Sequence, residues 1–165
     1  MCGIAGIVGP RASEEIAQSM AQRLLHRGPD GDGVWCQPGV ALSHRRLAIQ
    51  DLTDAGRQPM LFGSQVLTYN GELYNHERLR AALPGPWVSS GDTEVLLRLL
   101  ATEGSACLTR LVGMFAFASW DTQTKRLLLA RDRLGIKPLY YRLLPDGIAF
   151  ASELKALMLL GTPEI

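Results

Sequence analysis

No run of about 18 apolar residues occurs in the sequence, so no membrane-spanning helix is expected. The opening residues also lack the basic and then apolar regions of a secretory leader, and a cytoplasmic location is the expectation that follows. Charge of one sign is missing too: 17 Lys and Arg face 16 Asp and Glu, a net +1, and the arginines that outnumber the lysines are scattered. That balance argues against a nucleic-acid tail and against a basic membrane-binding surface. Cysteine is scarce. Cys2, Cys36 and Cys107 are odd in number and widely spaced, which fits neither a disulfide framework nor a zinc knuckle, and no metal site is expected. Cys36 and Cys107 are expected to be buried and inert. No internal repeat is present. The glycine-rich stretch at 28–33 is not followed by Lys-Ser/Thr and has no βα context, so it is no phosphate cradle.

What is there suits one globular domain: 165 residues, 47% hydrophobic and 20% charged, enough to bury a proper core. An apolar strand opens the chain. Ser13 can cap a helix with Glu14 and Glu15 in its first turn and Ile16, Met20 and Leu24 on one stripe. A loop over 26–33 precedes a hairpin of residues 34–36 and 40–43 around Pro38-Gly39. A strand at 65–69 runs into Asn70-Gly71, the strongest short hairpin signal. Asn75 is expected to cap a short helix, and Asp92 to cap another that ends at Gly104. The run at 113–121 is apolar enough for a fully buried strand. Residues 127–130 follow across a turn, a hairpin around Pro145-Asp146-Gly147 comes next, and Ser152 can cap a last helix over 153–160. Many short strands with helices in two clusters indicate a layered α+β domain with antiparallel sheets.

Chemistry concentrates at a few positions. Trimming of Met1, which a small second side chain permits, makes Cys2 the N-terminus, with a thiol and a free amine on one residue. An amine of pKa about 7.7–8.0 is partly neutral near pH 7 and can take the thiol proton, and the resulting thiolate is the nucleophile. The alternative is a small apolar residue that merely opens a strand. Arg45 and Arg46 are either solvated edge charges or, more sharply, a carboxylate fork. Asn70 and Gly71 are either a turn or a pair of donors for an oxyanion. Asp92 can cap and still offer one oxygen to a substrate ammonium.

The residues resemble a known family along nearly the whole chain. Cys2-Gly3-Ile4-Ala5-Gly6, His26-Arg27-Gly28-Pro29-Asp30-Gly31, Leu42-Ser43-His44-Arg45-Arg46-Leu47, Gln58-Pro59-Met60, Tyr69-Asn70-Gly71-Glu72-Leu73-Tyr74-Asn75, Ser90-Gly91-Asp92-Thr93-Glu94-Val95 and the run from Arg131 to Tyr141 occur in order. Together they are similar to the glutaminase domain of the asparagine synthetase family, class II glutamine amidotransferases with an N-terminal-nucleophile hydrolase fold. The resemblance implies a four-layer αββα sandwich with the site where the sheets open. It implies Cys2 as nucleophile with its own amine as base, and an oxyanion hole of Asn70 and the Gly71 N–H. Arg46 would hold the glutamine α-carboxylate, and Glu72 and Asp92 its α-amine. The backbone of Leu47, Ala48, Ile49 and Gln50 would line the pocket. The implied reaction releases glutamate and ammonia from L-glutamine by way of a thioester. No Cys–His dyad is implied, for His44 or for His26.

The family's synthetase half carries a Ser-Gly-Gly-containing ATP loop that this sequence does not contain. No cofactor is therefore expected in this domain, and ATP and Mg belong to a synthetase domain or subunit that receives the ammonia. The domain is expected over 2–165, shortened at its C-terminal edge. A non-catalytic amidotransferase-like module, or a relative with a different acceptor, are the alternatives.

Overall fold

The architecture follows from the two-residue period of its strands, each of which turns one set of side chains toward a second sheet and the other toward helices. The computed structural model describes residues 1–161; the last four residues of the expected domain, 162–165, lie outside them. One sheet contains β1 (Gly3–Val8), β2 (Gly31–Gln37), β3 (Val40–Arg46), β8 (Tyr140–Leu144) and β9 (Gly147–Ala151), in the order β2-β3-β1-β9-β8. The other contains β4 (Met60–Phe62), β5 (Gln65–Leu73), β6 (Gly113–Asp121) and β7 (Arg126–Arg131), in sequence order. Every strand pair is antiparallel.

Three apolar cores separate four layers. Ile4, Val40, Leu42, Val66, Ala116, Ala118, Trp120 and Phe150 fill the space between the sheets. On the outer face of the first sheet, Ala5, Ile7, Ala41 and Ala149 pack on Ala17, Met20 and Leu24 of α1 (Glu14–Gln22) and its exit, and on Ala156 and Leu157 of α4 (Leu154–Leu157). On the outer face of the second, Leu67, Tyr69, Leu73 and Phe117 pack on Leu79 of α2 (His76–Ala81) and on Val95, Leu96 and Leu99 of α3 (Asp92–Glu103). The layers are helix, sheet, sheet, helix, as expected. Ser13 caps α1, its hydroxyl accepting from the Ile16 N–H at 3.2 Å.

Several local expectations are corrected. Asn70-Gly71 is not a turn but the interior of β5, because pairing with β6 continues through Asn70↔Ala116 and Gly71↔Phe115. Gly71 serves close approach instead, since a Cβ there would meet the Met114 carbonyl at 2.5 Å and the Tyr69 ring at 2.6 Å. The loop after α1 is shorter than read, as β2 begins at Gly31. Asp92 is the first residue of α3 rather than its cap. Asn75 precedes α2 without capping it: its amide bridges to the Arg110 carbonyl (2.9 Å) and the Val112 N–H (3.1 Å). Ser152 caps nothing either, because its hydroxyl is taken by the Ile4 N–H, and the last helix is only one turn of α4 followed by a 3-10 turn at Met158–Leu160. Cys107 is buried as expected, whereas Cys36 is exposed, because it lies on β2 at the sheet edge.

Candidate active site

Strand alternation brings the chemistry-bearing residues into the inter-sheet layer at one end. Cys2 shares a face with Ile4, and on β3 His44 and Arg46 share the face of Leu42, since Ile4 pairs with His44. On β5 the same side carries Thr68, Asn70 and Glu72, and the Thr68 hydroxyl crosses the gap to the Ser43 carbonyl at 3.1 Å. A cavity of about 120 Å³ opens there, small beside the roughly 300–1,000 Å³ of pockets for drug-sized ligands. That size suits a molecule no larger than a single amino acid. Its wall includes every residue expected at the site: Cys2, Arg46, Leu47, Ala48, Ile49, Gln50, Asn70, Gly71, Glu72 and Asp92.

The Cys2 thiol is half-buried. The Leu47 N–H donates toward its sulfur at 3.4 Å, and the thiol reaches the Leu47 carbonyl at 3.6 Å. Burial raises the thiol pKa more than that N–H, the N-terminal ammonium, Arg46 and Lys137 lower it. The group is therefore a thiol near neutral pH and needs a base. His44 is not that base. Burial drives its pKa down to about 3 against a bond to the Tyr69 carbonyl, so it is neutral, and its Nε2–H donates to that carbonyl at 3.2 Å. No hydrogen bond joins His44 to Cys2 among the described residues.

Two donors belonging to residues of the same cavity wall are unused. Asn70 is buried, and its Nδ2 has no partner among the described residues. Gly71 is exposed to the cavity through its backbone. Phe115, opposite it, spends its N–H and C=O on Asp132, so the Gly71–Phe115 pair is a non-hydrogen-bonded one and both residues turn their polar groups away from each other. The N–H groups of Tyr69, Gly71 and Leu73 thus share the free edge of β5. Tyr69 donates to Gln58 Oε1 at 2.6 Å and Leu73 to Asp92 Oδ2 at 2.8 Å, while the Gly71 N–H between them meets no described side-chain acceptor. An unpaired buried donor costs stability unless something fills it.

The cavity wall also carries opposite charges. Arg46 is oriented by donation from Nη1 to the Thr53 carbonyl at 2.9 Å and from Nη2 to the Asp51 carbonyl. Asp92 Oδ2 accepts from the Tyr69 hydroxyl at 2.7 Å as well as from Leu73, and Oδ1 makes no hydrogen bond among the described residues. Glu72 is exposed on the cavity rim. Gln50 does a job absent from the sequence reading: its Oε1 accepts from the Asp92 N–H at 3.1 Å and so holds the start of α3.

Sequence reasoning left other contributors without a role. Asp30 Oδ2 accepts from the Ala48 N–H at 2.9 Å and fixes the 47–50 segment. Arg27 Nε donates to the Cys2 carbonyl at 2.9 Å. Their signal was the Arg27-Gly28-Pro29-Asp30 motif, whose chemistry appears only in three dimensions. Lys137 is buried in the wall, its Nζ 3.3 Å from the Met1 sulfur.

Comparisons with known proteins bear on the family and the fold. A family model described as a glutamine amidotransferase domain matches residues 1–164, and the chain belongs to that family. Asparagine synthetase (glutamine-hydrolysing) 2 of Bacillus subtilis is 40% identical over 166 residues, 95% of this chain and 22% of that protein. Asparagine synthetase (glutamine-hydrolysing) 2 of Oryza sativa subsp. japonica is 42% identical, over 95% of this chain and 28% of that one. Among solved structures, the glutamine phosphoribosylpyrophosphate amidotransferase of B. subtilis superposes with a TM-score of 0.85 at 26% identity, covering 97% of this chain and 44% of that chain. The α+β fold with two antiparallel sheets is thus that of the N-terminal-nucleophile amidotransferases. The chain spans about a quarter of the length of the curated relatives it matches.

Proposed function

We propose that this domain, residues 2–165, hydrolyses L-glutamine to glutamate and ammonia once Met1 is removed. The observation that carries the reading is the pair of unspent donors, Asn70 Nδ2 and the Gly71 N–H, on the wall that also holds the Cys2 thiol. The freed Cys2 amine takes the thiol proton, and the sulfur attacks the side-chain amide carbon of glutamine. The developing oxyanion accepts from Asn70 and Gly71. The protonated amine then gives its proton to the departing nitrogen, ammonia leaves and a thioester remains. Water, with its proton taken by the same amine, releases glutamate and restores the thiol.

Arg46 would grip the α-carboxylate, and Asp92 Oδ1 with Glu72 the α-ammonium, so that free glutamine is preferred to glutamine within a peptide. The backbone of Leu47, Ala48, Ile49 and Gln50 would line the amino-acid end. None of these steps calls on a metal or cofactor. The ammonia would pass to an asparagine-synthetase-type domain or subunit with its own ATP and Mg, in the cytoplasm, which the likeness to longer glutamine-hydrolysing asparagine synthetases supports. The test is intact mass followed by glutamate release, wild type beside Cys2→Ala. Met1 loss with Cys2-dependent glutamate is the expected result; Met1 loss with no glutamate, here and in a longer chain, overturns the reading in favour of a non-catalytic module.

A further inference from the structure

The chain that leaves β9 grips the strand bearing Cys2 at two successive residues. Ser152 donates its N–H to the Ile4 carbonyl at 2.9 Å and accepts the Ile4 N–H on its hydroxyl at 3.0 Å. Glu153, next in line, accepts on Oε1 from Arg27 Nη1 at 2.9 Å. Arg27 carries that contact onward, through its Nε, to the Cys2 carbonyl.

The relay has a physical need. Arg27 is only 9% exposed and its Nη2 has no partner, so its charge depends on a carboxylate nearby. Glu153 is the one carboxylate within ion-pair distance of it among the described residues. Glu153 also accepts from His26 Nε2 at 2.9 Å and from Lys155 Nζ at 3.2 Å. Burial pushes its carboxyl up, but the Arg27, His26 and Lys155 bonds outweigh burial and bring it down to about 2. It is an anion throughout the working range. The Cys2 thiol has its Leu47 contacts, but its main chain is held at one point among the described residues. Strand pairing begins at Gly3, so the carbonyl bond to Arg27 is the main-chain tether of a residue that becomes chain-terminal without Met1.

We propose that Glu153 is a positioning residue for the nucleophile: it fixes the Arg27 guanidinium, which fixes the Cys2 carbonyl and hence the rotation of the residue that carries both thiol and base. The inference rests on the glutaminase reading for its kinetic part. Proton transfer needs the amine within hydrogen-bond reach of the sulfur, and a loosened Cys2 spends less time there. Glutamine touches none of Arg27, Glu153 or His26 in this scheme, so its binding is spared.

The experiment compares Met1-trimmed wild type, Glu153→Gln, Glu153→Asp, Arg27→Gln and the Glu153→Gln/Arg27→Gln double variant, all in a Cys36→Ser background. Three quantities are read: kcat and KM for glutamine hydrolysis, the rate of Cys2 alkylation by iodoacetamide against pH, and the melting temperature. Glu153→Gln is expected to lower kcat by about tenfold or more with KM within about twofold, in line with the cost of small misplacements. Its Cys2 alkylation profile should differ from wild type, Glu153→Asp should recover part of kcat, and the double variant should be no slower than Arg27→Gln alone. Wild-type kcat in Glu153→Gln, or losses that multiply in the double variant, overturns the proposal. If Glu153→Gln does not fold, the same comparison rests on Glu153→Asp: a kcat deficit at unchanged melting temperature supports the relay, and wild-type kinetics overturns it. Should the wild type itself hydrolyse no glutamine, the functional reading fails separately. The alkylation profiles then decide alone, a changed profile in the Glu153 variant supporting the relay and an identical one overturning it.

Discussion

Asp92 illustrates how much a single side chain can conceal. Ser90-Gly91-Asp92-Thr93 reads as a helix cap, yet the capping oxygen comes from Gln50, 42 residues earlier, and the carboxylate turns inward. No local pattern could reveal that exchange. Burial raises the Asp92 pKa beyond what the Leu73 and Tyr69 bonds lower it. A raised carboxyl pKa means a contribution that is full below the unfolded value and is lost as pH rises through the folded one. The charged form therefore costs stability at neutral pH. Asp92→Asn can keep both bonds on one oxygen, so its melting temperature should exceed wild type at pH 7, the gain shrinking on acidification. Its KM for glutamine should rise by roughly 10–100-fold, the loss of a charge-assisted bond of about 1.5–3 kcal/mol. Melting curves across pH and steady-state kinetics check the two halves. Asn70→Ala gives the complementary signature: kcat lower by about 10²–10³ at nearly constant KM, because the donor acts only on the oxyanion.

Among the elements, β5 and α3 mark the boundary of what periodicity can say. Every strand but β4 was legible from apolar runs and turn signals, but Asn-Gly carries the same signature whether a chain turns or runs on. Nine paired residues of β6 decided it. The segment before α3 was equally opaque, because what holds it is a buried ion pair. Glu94 accepts from the Val88 and Ser89 N–H groups and from Arg98, whose guanidinium lies 4.3 Å from the Trp87 ring centre and donates to the Pro84 and Pro86 carbonyls. Removing one partner leaves the other buried and unpaired. Glu94→Ala should thus lose about 3–5 kcal/mol by denaturant titration. The 84–91 segment leading into Asp92 should loosen first, seen as faster amide exchange there.

For the molecule as a whole, element order was enough for a layered α+β domain with antiparallel sheets, while the four layers came with the family resemblance. The inter-layer ties came with neither, since they join residues far apart in sequence. Two carboxylates set the response to acid. Asp51 is held down to about 2 chiefly by the Thr53 hydroxyl, with the Ser90 N–H adding to it, and Glu153 stands at about 2 as well. Depressed carboxyl values give stability that is present above the unfolded pKa, about 4, and lost as pH falls toward 2. Unfolding free energy should therefore drop across that window. Asp51→Asn and Glu153→Gln should each flatten part of the fall, as urea titrations at pH 2.5, 4 and 6 would register.

The position of β1 has a consequence in time. It is the first strand to be synthesised, yet it lies at the centre of its sheet, between β3 and β9, and Ser152 closes on Ile4. At about 5–20 residues per second, roughly 7–30 s separate the two ends of that contact on the ribosome. Through that interval β1 has β3 but not β9 beside it, so its sheet is completed only when the last hairpin arrives.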